Sequence, residues 1–390
     1  MLNTIENFMK KESSAGLLLI FVTVLALFLE NSFLTDFYTK FLHTPIEVRF
    51  GALHIAKPLL LWVNDGLMAI FFFLIGLEVK REVMEGHLST IKQVTLPTIA
   101  AIGGMVVPAL VFVFFNKGDD FAMNGWAIPT ATDIAFALGI LSLLGPRIPV
   151  SLKIFLMALA IIDDLGAIVI IALFYTTKLS TLSIIIAAIS LVALFITNRM
   201  KVIAKSVYII IGLILWISVL KSGVHATLAG VALAFMIPLN SKDKDGNIFS
   251  MLKEMEHGLH NWVSFIILPL FAFVNAGVYL QDISLDEMSG SVPMGIMLGL
   301  FLGKQLGVFG FSFIAIKMGL ASLPKDSNWL LLYGVSVLTG IGFTMSLFVD
   351  SLAFNDTQLF HYADKLAILI GSFLSGIVGY SILKIATKEK

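Results

Sequence analysis

Cysteine is absent from all 390 residues, and charge is scarce, with Asp, Glu, Lys and Arg together making up 13%. The first absence excludes disulfides and thiolate chemistry, and it leaves the redox compartment unassigned. The second excludes an ordinary soluble chain, in which about a quarter of residues are charged. The few charges balance, 26 basic against 26 acidic, so no nucleic-acid-binding face is indicated. Apolar residues fill the chain instead, at 58% hydrophobic with a mean hydropathy of +0.95. The apolar runs are continuous rather than alternating. That pattern predicts an all-α polytopic membrane protein and argues against a membrane β-barrel. Residues 17–29 imitate a signal-peptide core, but Glu30-Asn31 follows with no small-residue cleavage site, so the stretch reads as a first spanning helix.

At about 20 residues per crossing, twelve spans are expected, at roughly 13–30, 59–84, 95–116, 121–143, 150–175, 180–198, 205–220, 223–237, 257–280, 290–315, 327–350 and 358–383. The seventh and eighth are short. Twelve spans put both termini on one side, and the Lys and Arg distribution decides which. With cytoplasmic termini, inner segments carry Lys10, Lys11, Lys80, Arg81, Lys92, Arg147, Lys153 and others, while Lys40, Arg49, Lys57, Lys117, Lys178, Lys221 and Lys365 lie outside. The inner excess places both termini in the cytoplasm.

One outer connection, residues 45–55, alternates Ile46, Val48, Phe50, then Leu53 and Ile55, around Gly51-Ala52. This predicts a β-hairpin, either solvated or offering its edge to a second copy. Residues 243–247, Asp-Lys-Asp-Gly-Asn, read as a polar turn. A calcium loop starting at Asp243 would need Gly where Ile248 stands.

Asp163 and Asp164 lie side by side in the span 150–175, which is otherwise almost wholly apolar. A carboxylate at that depth costs roughly 2.5–3.5 kcal/mol on insertion scales, so a retained pair points to binding of protons or cations. Depth, counted at about 1.5 Å per residue, brings other anomalies to the same level. Asp163 and Asp164 lie about 20 Å in from the cytoplasmic side, and Thr132-Asp133 about 17 Å in from the outside. Lys304 is about 21 Å in from outside, and Gly340–Gly342 about 18–20 Å in from the cytoplasm. Pro129 removes a helix hydrogen bond, and Gly340 and Gly342 weaken a second helix. Two interrupted helices in corresponding halves mark a transporter site between inverted repeats. Here the repeats would be spans three to five and ten to twelve. Helix ends facing each other there supply partial charges that Asp133 and Lys304 could offset.

Ordinary readings stand beside these. Gly and Pro also serve as kinks and close contacts in membrane helices. Asp163 and Lys304 could form a structural ion pair, but one lysine cannot neutralise three acids. Asp65 and Glu78 lie about 20 Å apart along the second span, toward its outer and cytoplasmic ends. Glu78, Glu82 and Glu85 share a helical face, either gathering cations at a mouth or ending a solvated helix with Lys80 and Arg81. Glu256, His257 and His260 open the ninth span as a proton sensor, a weak metal pair or an interfacial cluster. His225 stands alone near an outer helix end, where packing is the ordinary role.

These stretches resemble the NhaA family of bacterial sodium/proton antiporters over essentially the full length. The likeness is carried by NDGLMAIFFFLIGLEVKRE (64–82), GWAIPTATDIAFALG (125–139), LAIIDDLGAI (159–168), LPLFAFVNAG (268–277), LGLFLGKQLG (298–307) and GIGFTMSLF (340–348). The resemblance implies one integral membrane domain over 1–390, with a core of crossed broken helices in repeats near 95–175 and 290–383. The interface part would lie near 13–84 and 205–280. It implies Asp163 and Asp164 as transport carboxylates for Na⁺ or Li⁺, with Thr132, Asp133 and Lys304 at the breaks Pro129, Gly340 and Gly342. Asp65 and Glu78 fall on the cation path. Glu78, Arg81, Glu82, Glu256, His257 and His260 match a cytoplasmic pH-response region.

Further implications are an inner-membrane location among lipid, a homodimer formed through hairpin 45–55, and no cofactor beyond the transported ions. One departure is His260-Asn261-Trp262 where the family usually carries His-Pro-Trp. The expected activity is electrogenic export of Na⁺ in exchange for protons by alternating access, regulated by pH. A gated cation channel is the alternative. An intramembrane aspartyl protease is excluded, because its Gly-x-Gly-Asp pattern would need Asp where Phe343 follows Gly342.

Overall fold

The computed structural model describes residues 13–51, 53–86, 90–176, 180–242, 248–354, 360 and 362–388. Lys10, Lys11, Lys178 and the polar turn 243–247 lie outside the described residues, as does Ala52 at the hairpin tip. Helices dominate, in the order α1 (Ser14–Glu30), α2 (Thr35–Leu42), α3 (Leu59–Met84), α4 (Ile91–Asn116), α5 (Ile134–Leu143), α6 (Val150–Phe174) and α7 (Thr181–Arg199). Then come α8 (Lys205–Ser222), α9 (Thr227–Met236), α10 (Met251–Asn275), α11 (Ser291–Lys317), α12 (Trp329–Leu338), α13 (Phe343–Phe354) and α14 (Ala363–Ala386).

Among the described residues, eight helical segments are long and apolar enough to cross a membrane, or ten if each of two bent pairs is one span. The bent pairs are α1 with α2, turning by 113°, and α12 with α13, turning by 42°. The expected seventh and eighth spans are the short apolar helices α8 and α9. The ninth begins at Met251 rather than near 257, because the Ser250 side chain accepts from the Lys253 N–H and starts the helix there. It ends at Asn275, short of the expected 280.

The hairpin forms as predicted. β1 (Pro45–Phe50) pairs antiparallel with β2 (Leu53–Pro58), Val48 opposite Ile55 and Glu47 opposite Ala56. Gly51 has φ +58° at the turn, a left-handed value that favours glycine. A second antiparallel pair, β3 (Ser241–Lys242) with β4 (Ile248–Phe249), is two residues long on each side.

The chain divides into two compact units. Unit one comprises the described parts of Met1–Thr35, His87–Ala167 and Asn275–Lys390. Unit two comprises Asp36–Gly86 and Ile168–Val274. α1 falls in unit one.

Lipid tails are as apolar as leucine, so close packing rather than escape from water holds such helices together. In unit one, α4 and α11 touch backbone to backbone, and a Cβ on Gly103 would overlap the Gly307 carbonyl oxygen. In unit two, Phe73, Leu77, Tyr208, Leu215, Met251 and Leu252 are buried in one apolar cluster.

Both expected interruptions are present. Ala122–Thr130 is a 3₁₀ helix with Pro129 inside it. The chain is then extended at Ala131 and Asp133 before α5 begins. In the other repeat α12 stops at Leu338, and Thr339–Gly342 joins it to α13. Among the described residues, three helices also contain a π turn, at Val63–Leu67 in α3, Val263–Ile267 in α10 and Gly299–Gly303 in α11. Such turns, with i to i+5 bonding, are rare and gather at functional sites.

Candidate functional site

The two interruptions in unit one meet. The Asp133 N–H donates to the Ile341 carbonyl over 2.7 Å. The Thr132 hydroxyl donates to the Thr339 carbonyl over 3.0 Å. Each break thus satisfies backbone groups that its own helix abandons, as a lipid interior requires. Gly340 permits the approach, since a Cβ there would overlap the Leu300 carbonyl oxygen and the Ser375 hydroxyl.

Asp133 caps two helices at once. Its Oδ1 accepts from the Phe136 N–H at the start of α5, over 2.9 Å. Its Oδ2 accepts from the Thr344 N–H at the start of α13, over 3.1 Å, and also from the Thr344 hydroxyl. One carboxylate therefore faces two positive helix ends, an arrangement that stabilises negative charge. Ser372 of α14 caps the same end of α13, its hydroxyl accepting from the Phe343 N–H at 3.0 Å.

Lys304 follows directly on the π turn Gly299–Gly303 and is wholly buried. Its Nζ donates to Asp163 Oδ2 over 2.8 Å and to the Thr132 hydroxyl over 2.9 Å. Through Thr132 the ammonium is linked to the carbonyl of Thr339, at the negative end of α12. Asp164 is 2% exposed, like Asp163, and adds to the attraction on Lys304. The structure thus gathers Asp163, Asp164, Thr132, Asp133 and Lys304 around the breaks, all inside one unit. It resolves the open pairing question by joining Lys304 to Asp163.

In unit two a second polar cluster forms where α3 ends and α10 begins. The Arg81 Nε lies 2.9 and 2.8 Å from the two oxygens of Glu256, and its Nη1 lies 2.6 Å from Glu82. Glu78 faces His260 at 3.8 Å. Glu85 pairs with Lys253 at 2.7 Å, and the lysine holds this carboxyl below its usual range. Glu78, Arg81, Glu82, Glu256 and His260 are thus brought together. His257 points elsewhere, its ring Nδ1 lying 2.7 Å from the Lys253 carbonyl oxygen. Near the hairpin, Asp65 pairs with Lys57 at 2.6 Å, and its carbonyl accepts from the Trp216 indole over 3.2 Å. Among the described residues no three His, Asp or Glu side chains converge as a metal centre, so His257 and His260 form no such site.

Two participants escaped the sequence reading. Thr339 and Thr344 supply the carbonyl and the hydroxyl that tie the breaks together. Each stands close to a glycine of the Gly340-Ile341-Gly342 run, and that neighbourhood was the available signal.

A family model described as Na+/H+ antiporter 1 matches residues 6–383. The chain is 79% identical over 383 residues to a Sulfurovum protein named Na(+)/H(+) antiporter NhaA, covering 98% of each. It is 68% identical over 373 residues to the Nitratiruptor protein of that name, covering 96% of each. A protein of the same name in Yersinia enterocolitica is 54% identical over 392 residues, covering 100% of this chain and 99% of its own.

Proposed function

The chain belongs to the Na+/H+ antiporter 1 family, and from that premise we propose that Asp164 and Asp163 are where Na⁺ and protons compete. It is a multi-pass membrane antiporter rather than an enzyme, and family membership gives the channel alternative no support. The observation that carries the residue assignment is the buried pair Lys304–Asp163 beside Asp164.

Asp163 is committed to Lys304, which makes Asp164 the first ligand for an arriving Na⁺. Thr132 and backbone oxygens at the breaks supply the neutral ligands that a hard cation accepts. Full coordination by Asp163 requires Lys304 to let go. Binding then changes the partner of a buried ammonium, and this couples the ion to a proton. Asp133 keeps the opposed helix ends together while the ligands exchange. Exchange of one Na⁺ for protons from more than one group moves net charge, so the membrane potential drives export.

The remaining assignments belong to the same reading. Twelve crossings place both termini in the cytoplasm of a bacterial inner membrane, and hairpin 45–55 joins two copies among lipid. Residues near 95–175 and 290–383 carry the repeats. Glu78 leads cytoplasmic Na⁺ inward, and Asp65 with Lys57 lies on the outer path. The Arg81–Glu256 cluster, with Glu82, His257 and His260, biases an inactive–active equilibrium with pH. Everted vesicles test the central claim. Adding NaCl should dissipate a preformed ΔpH in wild type and not in Asp164→Asn. Exchange retained by that variant would overturn the assignment.

A further inference from the structure

Besides Asp133, the broken spans bury a second carboxylate, which has no place in the mechanism above. Asp350 lies in α13 and is 2% exposed. It follows Thr344, the residue that holds Asp133, by six positions, about 9 Å along the helix. Ser346, Asp350 and Phe354 are spaced by four and share one helical face. The residues on either side of Asp350 on that face both touch the 3₁₀ segment Ala122–Thr130. Ser346 donates to the Ile128 carbonyl over 2.8 Å, and the Phe354 ring stands over Gly125. Asp350 lies between these two contacts on the same helical face.

Two independent features mark the place. The 3₁₀ segment is nine residues long, whereas runs beyond three or four are uncommon and mid-helix stretches mark hinges. One turn beyond Asp350, three rings close together. Phe354 lies 4.8 Å from Phe360 and 5.6 Å from Phe121, and Phe121 lies 6.2 Å from Phe360. The carboxylate thus lies along α13 between Thr344, which holds Asp133, and an aromatic cluster. Counted from the start of its span, Asp350 lies about 33 Å in, at the outer end, and a carboxylate buried in protein there is costly unless it is paired or holds a cation.

We infer that Asp350 is a second, outer cation position, which a Na⁺ leaving Asp164 occupies before it reaches the external side. This rests on the proposed site and orientation. The 3₁₀ segment and the Phe354 ring must shift for the ion to pass. The position takes one monovalent cation and holds it less firmly than Asp164, because it has no second adjacent carboxylate.

The test compares the two membrane faces. Apparent KM for Na⁺ is measured in right-side-out and in everted vesicles for wild type, Asp350→Asn and Asp350→Ser, with thermal midpoints of the purified proteins. Both variants should raise the external-face KM roughly tenfold, the size expected from losing one charge-assisted ligand. The cytoplasmic-face KM should stay within about twofold, a few tenths of a kcal/mol. Asp350→Glu should return the external value toward wild type. An unchanged external KM, or an equal rise on both faces, overturns the inference. If Asp164→Asn also exchanges Na⁺, the underlying site assignment has failed instead.

Discussion

Lys304 gives its hydrogen bonds to Asp163 and Thr132, its Nζ lying 2.8 Å from Asp163 Oδ2 with both side chains of the ion pair sealed from solvent. Two neighbouring acids are thereby made unequal. Asp163 is held by a buried cation, and in the proposed mechanism Asp164 is the one that answers to arriving ions.

The first expectation follows from removing that cation. Lys304→Ala leaves a buried carboxylate without its partner, which costs roughly 3–5 kcal/mol when the charge stays. The thermal midpoint should fall, and exchange should be impaired. The double variant Lys304→Ala with Asp163→Ala should be more stable than Lys304→Ala alone. A double-mutant cycle on thermal midpoints reads the coupling directly, and a coupling near zero would refute the pairing energetics.

Asp164→Asn separates transport from stability. The substitution keeps size and leaves the Lys304–Asp163 bond in place. Its thermal midpoint should match wild type within a degree or two, about the resolution of surface changes. Na⁺-dependent ΔpH dissipation should vanish. A large loss of stability would show that Asp164 is a structural partner.

Thr344 offers a test of the double cap on Asp133. Thr344→Val removes a hydroxyl donor to a buried carboxylate and should cost about 1–3 kcal/mol. Thr344→Ser keeps the donor and should recover most of it. If both variants melt alike, the hydroxyl does not hold Asp133.

The Arg81–Glu256 cluster predicts a change of pH profile rather than of capacity. Glu256→Gln frees Arg81 from one of its two carboxylates, so the balance of the cluster changes while the ion site in unit one is untouched. Exchange rate against pH at saturating Na⁺ should show a displaced midpoint with nearly full maximal rate. Uniform loss at every pH would return the cluster to ordinary packing.

Deleting residues 45–58 should convert a dimer to a monomer in native mass spectrometry, with exchange per protomer largely kept. A persistent dimer would move the interface elsewhere.

Much of this was legible because a membrane makes depth readable. Asp133, Asp163 and Lys304 fall at one level by counting residues, and the structure joins them within one unit. The hairpin was legible from its alternation and its glycine. Thr339 and Thr344 were not, because threonine in an apolar helix ordinarily bonds its own backbone and carries no pattern of its own. The π turns were also invisible, since a helix that is apolar all round has no stripe to show a shift of phase. Asp350 was passed over because it lies away from the level at which the other anomalies coincide. The count of twelve spans rested on hydropathy alone, and α1, α8 and α9 are shorter than a full crossing demands.

The π turn before Lys304 has one more consequence. An extra residue in a helical turn acts as a phase setting: everything after it is rotated by about 100° relative to an unbroken α-helix. Deleting a single residue from Gly299–Gly303 would therefore leave α11 helical and apolar, and still long enough to span. It would remove the bulge and the extra residue together, so Lys304 would keep its direction toward Thr132 and Asp163, whereas straightening the turn at unchanged length would swing it away. The ion pair is thus encoded as much by helical phase as by chemistry. Loss of one residue from this stretch should therefore keep the ion pair, and a one-residue insertion should break it, while side chains at Gly299 and Gly303 would collide with Pro129 and Pro108.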